Sequence, residues 1–338
     1  MPDLTPSLEA AVQAALQDMR DGVDYPALLA ALEAGDIAAV EKALDFEQGS
    51  WAPYIAAAMV IYMQTGAEAA RRLPIRFDPT RDADFRADVN AKVAAYTDEQ
   101  IVKAREYVYN GYAAGRSRRD IAQGLAGKVS KLTGKRQGGV IGLSGAQQSW
   151  VDKMRERLES GDPEQMRAVL TAKERDKRFD RTIKRAIVEA RKSEKDVAKA
   201  IVDGKPMPAI KPPVLDANKI DDITGKYADR LLRKRAKDIA STEATQFASG
   251  ARADAVRQAL AKVPGATATK TWHHSSIYIN ARPDHVGMSG VTVAFDANFV
   301  MADGVPMRYA HDPRGGAKHN ASCRCRTTYA IKWPDGVK

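Results

Sequence analysis

Every histidine and cysteine of this 338-residue chain falls between His273 and Cys325. Cys323 and Cys325 are one residue apart, and on an extended strand their side chains point to one face because successive side chains alternate. Two thiolates on one face are half of a tetrahedral zinc site, with His285 as a third ligand and His319 or His311 as a fourth. The plainer reading binds no cofactor. It leaves both cysteines as small buried residues and pairs Arg282 and Arg324 with Asp284 or Asp312.

The same residues admit a second chemistry. A metal-dependent nuclease needs a general-base His, an Asn to orient it and a metal-ligand His on adjoining elements. His273, His274, Asn280, His285, His311 and His319 supply those types. His273 and His274 are adjacent in a strand pattern, so only one can face such a site. The Gly138–Ser144 stretch before a helix start invites a phosphate reading. It lacks the GxxxxGK[ST] pattern and any βαβ surroundings, so glycines permitting close backbone approach account for it better.

The elements that must position these residues read as mainly α, with helical N-terminal and middle regions and a small α+β C-terminal domain. Residues 1–90 form an acidic helical module. Leu8, Val12, Leu16 and Met19 fall at helical spacing, and Asp24 and Asp36 stand where caps belong. Residues 91–203 form a basic helical region, with Thr97 placed to cap one helix and Ser117 to cap another running from Arg118 to about Leu132. Residues 204–218 hold Pro206, Pro208, Pro212 and Pro213 and read as an extended linker. Residues 219–338 carry one or two long helices joined near Ala240-Ser241. Strands follow at Thr267–Ile279, Val291–Phe295 and Arg326–Ile331.

Charge divides the chain. Residues 1–90 hold 7 Lys/Arg and 15 Asp/Glu, a net of −8, so against a total of +10 the remainder carries +18. A basic surface on that scale attracts polyanions. Arg167–Lys199 has 12 Lys/Arg against 6 Asp/Glu. Lys177, Arg181, Lys184 and Arg185 form a stripe opposite Phe179, Ile183, Ala186 and Ile187. With Arg178, Arg191 and Lys192 they are the candidate contacts to double-stranded DNA. No recognition-helix or zinc-finger spacing is present, so that contact is expected to be non-specific. The lack of a disulfide framework and of a basic, apolar leader after Met1-Pro2-Asp3 points to synthesis in a reducing cytoplasm. The longest apolar stretch, Tyr54 to Met63, is about half a membrane span, so no membrane partner is expected during assembly.

Arg282-Pro283-Asp284-His285 followed by Met288-Ser289-Gly290 resembles a corner of the phage Mu F-like head morphogenesis family. Arg308-Tyr309-Ala310-His311-Asp312-Pro313, a Gly-rich turn and Asn320-Ala321-Ser322-Cys323-Arg324-Cys325 are similar to that family's ending. Ala236 to Glu243, including Thr242 and Glu243, is similar to its upstream helix, and Gly142 to Gln147 to a segment before that. The resemblance covers roughly residues 140–335 and is absent from 1–90. Ser241 stands where the family has Arg, His311 where it has Pro, and relatives carry Cys-x-x-Cys where Arg282 and His285 stand. The resemblance implies a non-enzymatic minor capsid protein inside the virion head near the portal vertex. It would be made in the bacterial host cytoplasm and would partner the portal protein, capsid interior proteins and packaged DNA. Thr242, Glu243 and Gly290 belong to the same motif set, and Arg282, His285, Asp312, Asn320, Cys323, Arg324 and Cys325 are expected to fix turns and strand ends without carrying chemistry. The alternative is a metal-dependent nuclease or toxin-like enzyme built on the His/Cys-rich module.

Overall fold

The computed structural model describes residues 5–46, 51–81, 83–206, 215–275 and 281–336. The chain is mainly α, 65% helical, with a few small sheets toward the C-terminus. Twelve α-helices run in order among the described residues. They are α1 (Thr5–Asp21), α2 (Tyr25–Ala34), α3 (Ile37–Leu44), α4 (Ala52–Ala70), α5 (Ala83–Ala113) and α6 (Arg118–Ala126), then α7 (Gly145–Glu159), α8 (Pro163–Val169), α9 (Asp180–Asp203), α10 (Ala217–Lys262), α11 (Pro283–Gly287) and α12 (Gly316–Asn320).

Local chemistry sets many of these ends. Asp24 and Asp36 accept from the Ala27 and Ala39 amides to start α2 and α3, and left-handed Gly35 stops α2. Ser117 caps α6 through the Asp120 amide. Ser144 and Gln147 satisfy each other's backbone in a capping box at α7. Two expectations fail. Thr97 caps nothing, because α5 runs unbroken from Ala83 to Ala113 and buries Val89, Val93, Ala104 and Val108 on either side of it. Of the one or two long helices expected after the linker, one forms: α10 is continuous over 46 residues, with Ala236 and Ala240 both buried. Helix α6 also stops short of Leu132, at Gly127, whose φ of 76° takes the backbone out of the helix.

The chain forms two compact units that interleave along it. The first comprises Met1–Ala15, Trp51–Ala95 and Ala236–Lys338, the second Leu16–Ser50 and Tyr96–Arg235. Of the linker at 204–218, residues 207–214, with Pro208, Pro212 and Pro213, lie outside the described residues.

In the second unit a strand pair, β1 (Lys128–Val129) with β2 (Arg136–Gln137), leads into the glycine stretch. The stretch is gripped from several sides. Arg20, fully buried, donates to the Ile141 and Gly139 carbonyls and pairs with Asp229 at 3.0 Å. Gln100 accepts from the Gly142 amide and donates to the Leu143 carbonyl. A Cβ at Gly138 would stand 2.9 Å from the Gly225 Cα, so close backbone approach is what that glycine provides.

The first unit joins an aromatic cluster to a small sheet. Tyr62 stacks on Phe85 at 4.0 Å, and Phe85 meets Phe247 edge-on at 5.5 Å. The Tyr54 hydroxyl donates to Glu243 at 2.6 Å, and Lys92 pairs with the same carboxylate at 3.0 Å. The sheet has strand order β4-β3-β7, all antiparallel, from β3 (Thr267–His273), β4 (Thr292–Ala294) and β7 (Arg326–Lys332). A hairpin of β5 (Phe299–Val300) and β6 (Pro306–Met307) packs Phe299, Met301 and Met307 with Trp272, Cys323 and Cys325 in one apolar cluster.

Candidate metal centre

Three short pieces of the first unit assemble a buried His/Cys cluster. Helix α11 starts at Pro283, whose fixed φ and missing amide hydrogen suit a first helical position. It carries His285 inward, 2% exposed. Helix α12 places His319. Ser322 then takes φ of 56°, and the chain runs extended into β7 with Cys323 and Cys325 buried and Arg324 between them exposed. This is the alternation the cysteine spacing requires.

His285 is the hub. Its Nδ1 lies 3.4 Å from the sulfur of Cys323 and 3.4 Å from that of Cys325. Its Nε2 lies 3.2 Å from Nδ1 of His319. His319 Nε2 is in turn 3.0 Å from the carboxylate of Asp303, at the tip of the β5–β6 hairpin. Trp272 sets its edge against the His285 ring at 89°. The ligand atoms of His285, Cys323 and Cys325 lie within 4.8 Å of one another, so this group could hold a metal ion. A tetrahedron built on zinc–sulfur and zinc–imidazole bonds has sulfur–nitrogen edges of about 3.6 Å. The two observed separations match it.

The electrostatics favour one thiolate. A hydrogen bond from Cys325 holds the Cys323 thiol well below its ordinary range against the opposing effect of burial, with further help from His285 and His311. The Cys325 amide also reaches the Cys323 sulfur at 3.4 Å. Donating to that thiolate and being buried push the Cys325 thiol up. Asp303 is held below the carboxylate range chiefly by Lys318, with the Val305 amide and His319 adding to it.

The expected arginine pairings are not those formed. Arg282 donates to the Ala321 carbonyl at 2.7 Å, pinning the turn before Cys323. Asp312 pairs with Arg308 and Arg314 instead, and Arg324 faces solvent. Asn320 donates to the Asp312 carbonyl, and Gly290, at φ 85°, donates to the Trp272 carbonyl. Glu243 is buried beneath Tyr54 and Lys92, while Thr242 is half-buried. Of the other residues considered for nuclease chemistry, His273 bonds Thr328 on the sheet, and Asn280 lies outside the described residues. Asp303 was not anticipated. Its only sequence signal is an Asp-Gly pair between short apolar runs.

In the second unit the basic stripe is real as a surface. Lys177 and Arg178 lie in a 3-10 turn before α9, which carries Arg181, Lys184, Arg185, Arg191 and Lys192. All but half-buried Arg191 are exposed, while Ile183, Ala186 and Ile187 are buried on the other side. Asp176, Glu189 and Glu164 engage Arg178, Arg185 and Arg191. Among the described residues no helix is long and apolar enough to cross a membrane. No family model, no curated protein and no solved structure matches this chain.

Proposed function

We propose that this chain is a structural minor capsid protein of a tailed phage, working at the portal and capsid interior, with non-specific contact to double-stranded DNA. The ordered motif set from Gly142 to Cys325 supports that reading. The observation that carries it furthest is the exposed cationic face of α9, backed by buried Ile183, Ala186 and Ile187. A face of that kind meets phosphates without reading bases. In the C-terminal part, Cys323, Cys325 and His285 would hold zinc as a cross-link. Both cysteines are 5% exposed, which suits a closed structural site better than a nucleophile that must meet substrate. Zinc there would tie α11 to the run-in of β7, and the chain's own residues would orient the ligands.

The test is native mass spectrometry of the full chain mixed with the portal protein of the same phage. Deleting residues 1–90 is a poor control, because it strips Tyr54, Tyr62 and Phe85 from the aromatic core of the first unit. A defined complex supports the reading. Absence of a complex, together with metal-dependent cleavage of plasmid that disappears in His285→Ala, overturns it in favour of an enzyme.

A further inference from the structure

His311 sits in a conformation that needs a reason. Its φ is 69°, a left-handed backbone that non-glycine residues rarely adopt. Its ring is 1% exposed. The Nε2 atom lies 3.0 Å from the carbonyl oxygen of Cys325. A carbonyl only accepts, so Nε2 carries the proton and Nδ1 is left with a bare lone pair. That Nδ1 is buried and meets no hydrogen-bond donor. A buried acceptor without a donor is rare in folded proteins and points to a missing electrophilic partner.

His319, the other histidine beside the cluster, has both nitrogens committed. If His285 offers Nδ1 toward the sulfurs, its Nε2 bears hydrogen and donates to His319 Nδ1. His319 Nε2 then bears hydrogen and donates to Asp303. The proton directions run one way from cluster to carboxylate, the arrangement by which an outer carboxylate and imidazole orient a metal-binding histidine. His319 therefore serves as a positioning residue.

We propose that His311, through Nδ1, is the fourth ligand of a zinc ion held by Cys323, Cys325 and His285. The proposal rests on the zinc reading of the cluster given above. Two thiolates and two neutral imidazoles balance a divalent cation, so the buried centre carries no net charge. Both sulfurs bind as thiolates, so binding releases any thiol proton still present and leaves both imidazoles neutral. The four ligand atoms do not all lie within the 4.8 Å that groups the first three, so closure draws His311 Nδ1 toward the sulfurs.

The experiment uses the full chain, stripped of metal and titrated with zinc alone, then with cobalt(II). Expected are one zinc per chain, an X-ray absorption signature of two sulfurs and two imidazoles, and an intense four-coordinate cobalt spectrum. His311→Ala should weaken zinc by more than about 100-fold and replace one imidazole by solvent oxygen, while His319→Ala keeps both imidazoles and weakens zinc by about 10-fold. The wild-type absorption spectrum needs no variant and so does not depend on how His311→Ala folds. One imidazole in the wild-type spectrum, or unchanged affinity in His311→Ala while His285→Ala binds nothing, overturns the role of His311 and leaves the zinc reading intact. A wild-type chain that takes up no zinc overturns both.

Discussion

The imidazoles of His285 and His319 lie 11° from parallel, joined through a 3.2 Å contact between Nε2 of the first and Nδ1 of the second. The orientation of His285 is thus set from behind, by a residue that itself answers to Asp303. Asp303→Asn replaces a carboxylate acceptor with an amide. It should weaken zinc retention by about 10-fold, the lower end of what outer-shell changes cost. Competition with a chromogenic chelator reads this directly, and equal affinity would show that the relay does not orient the ligand.

Arg20 is the most committed charge of the second unit. Arg20→Ala leaves Asp229 and the Gly139 and Ile141 carbonyls short of their donor. Breaking one side of a buried pair costs about 3–5 kcal/mol. Urea unfolding should show that drop in stability, and Arg20→Lys should not restore it, since one ammonium cannot span all three acceptors.

Tyr54→Phe removes one of the donors to the buried Glu243 carboxylate. A destabilisation of about 1–3 kcal/mol is expected, because Lys92 remains. Thermal unfolding at fixed pH measures it, and a change within error would mean that the Tyr54 hydroxyl adds nothing to what holds Glu243.

Lys270 gives the first unit a pH signature. Burial pushes its ammonium down to about 8, with Asp296 and Asp312 opposing. A lysine lowered on folding is charged in both states below pH 8, where the cost of burying it is fully felt. Between about 8 and 10.5 the unfolded chain holds the proton and the folded chain does not, so stability rises with pH across that window. The ammonium borders a cavity of about 120 Å³, and with solvent screening allowed for the rise should be about 1–2 kcal/mol. Lys270→Met should be more stable at pH 7 and show no such rise in denaturant titrations at pH 7 and 10.

Replacing Lys177, Arg181, Lys184 and Arg185 by Glu should leave the fold intact, since all four are exposed. The plot of log affinity against log salt for duplex DNA should become shallower by up to about 0.9 for each phosphate that is no longer neutralised. An unchanged slope removes α9 as the DNA surface.

Part of this architecture was legible beforehand. Asp24, Asp36 and Ser117 start helices because a short polar side chain can satisfy an amide two or three residues on, a rule that needs no tertiary context. Thr97 has the same chemistry but sits within a long apolar stripe, and packing of α5 outweighs its capping tendency. Cys323, Cys325 and His285 could be grouped because strand alternation is local. His311 stood beside them only as an alternative to His319; the part of Asp303, and the choice between the two histidines, could not be read. One depends on where a hairpin tip lands, the other on a left-handed φ at a non-glycine residue, and neither leaves a periodic trace. The basic stripe was visible, but the carboxylates of Asp176 and Glu164 that engage Arg178 and Arg191 beside it come from outside the helix.

The interleaving of the two units also dictates an order of events at the ribosome. Tyr54 emerges 189 residues before Glu243, its partner, a delay of roughly ten to forty seconds at ordinary rates of synthesis. Through that interval Tyr54, Tyr62 and Phe85 lack Phe247 and must be sheltered by something else. Chains interrupted after the second unit is complete would carry a finished body and an unfinished apolar segment together. Such fragments should be captured by chaperones or aggregate, so soluble yield should depend on reaching the end of α10 more than on any single interaction in the mature fold.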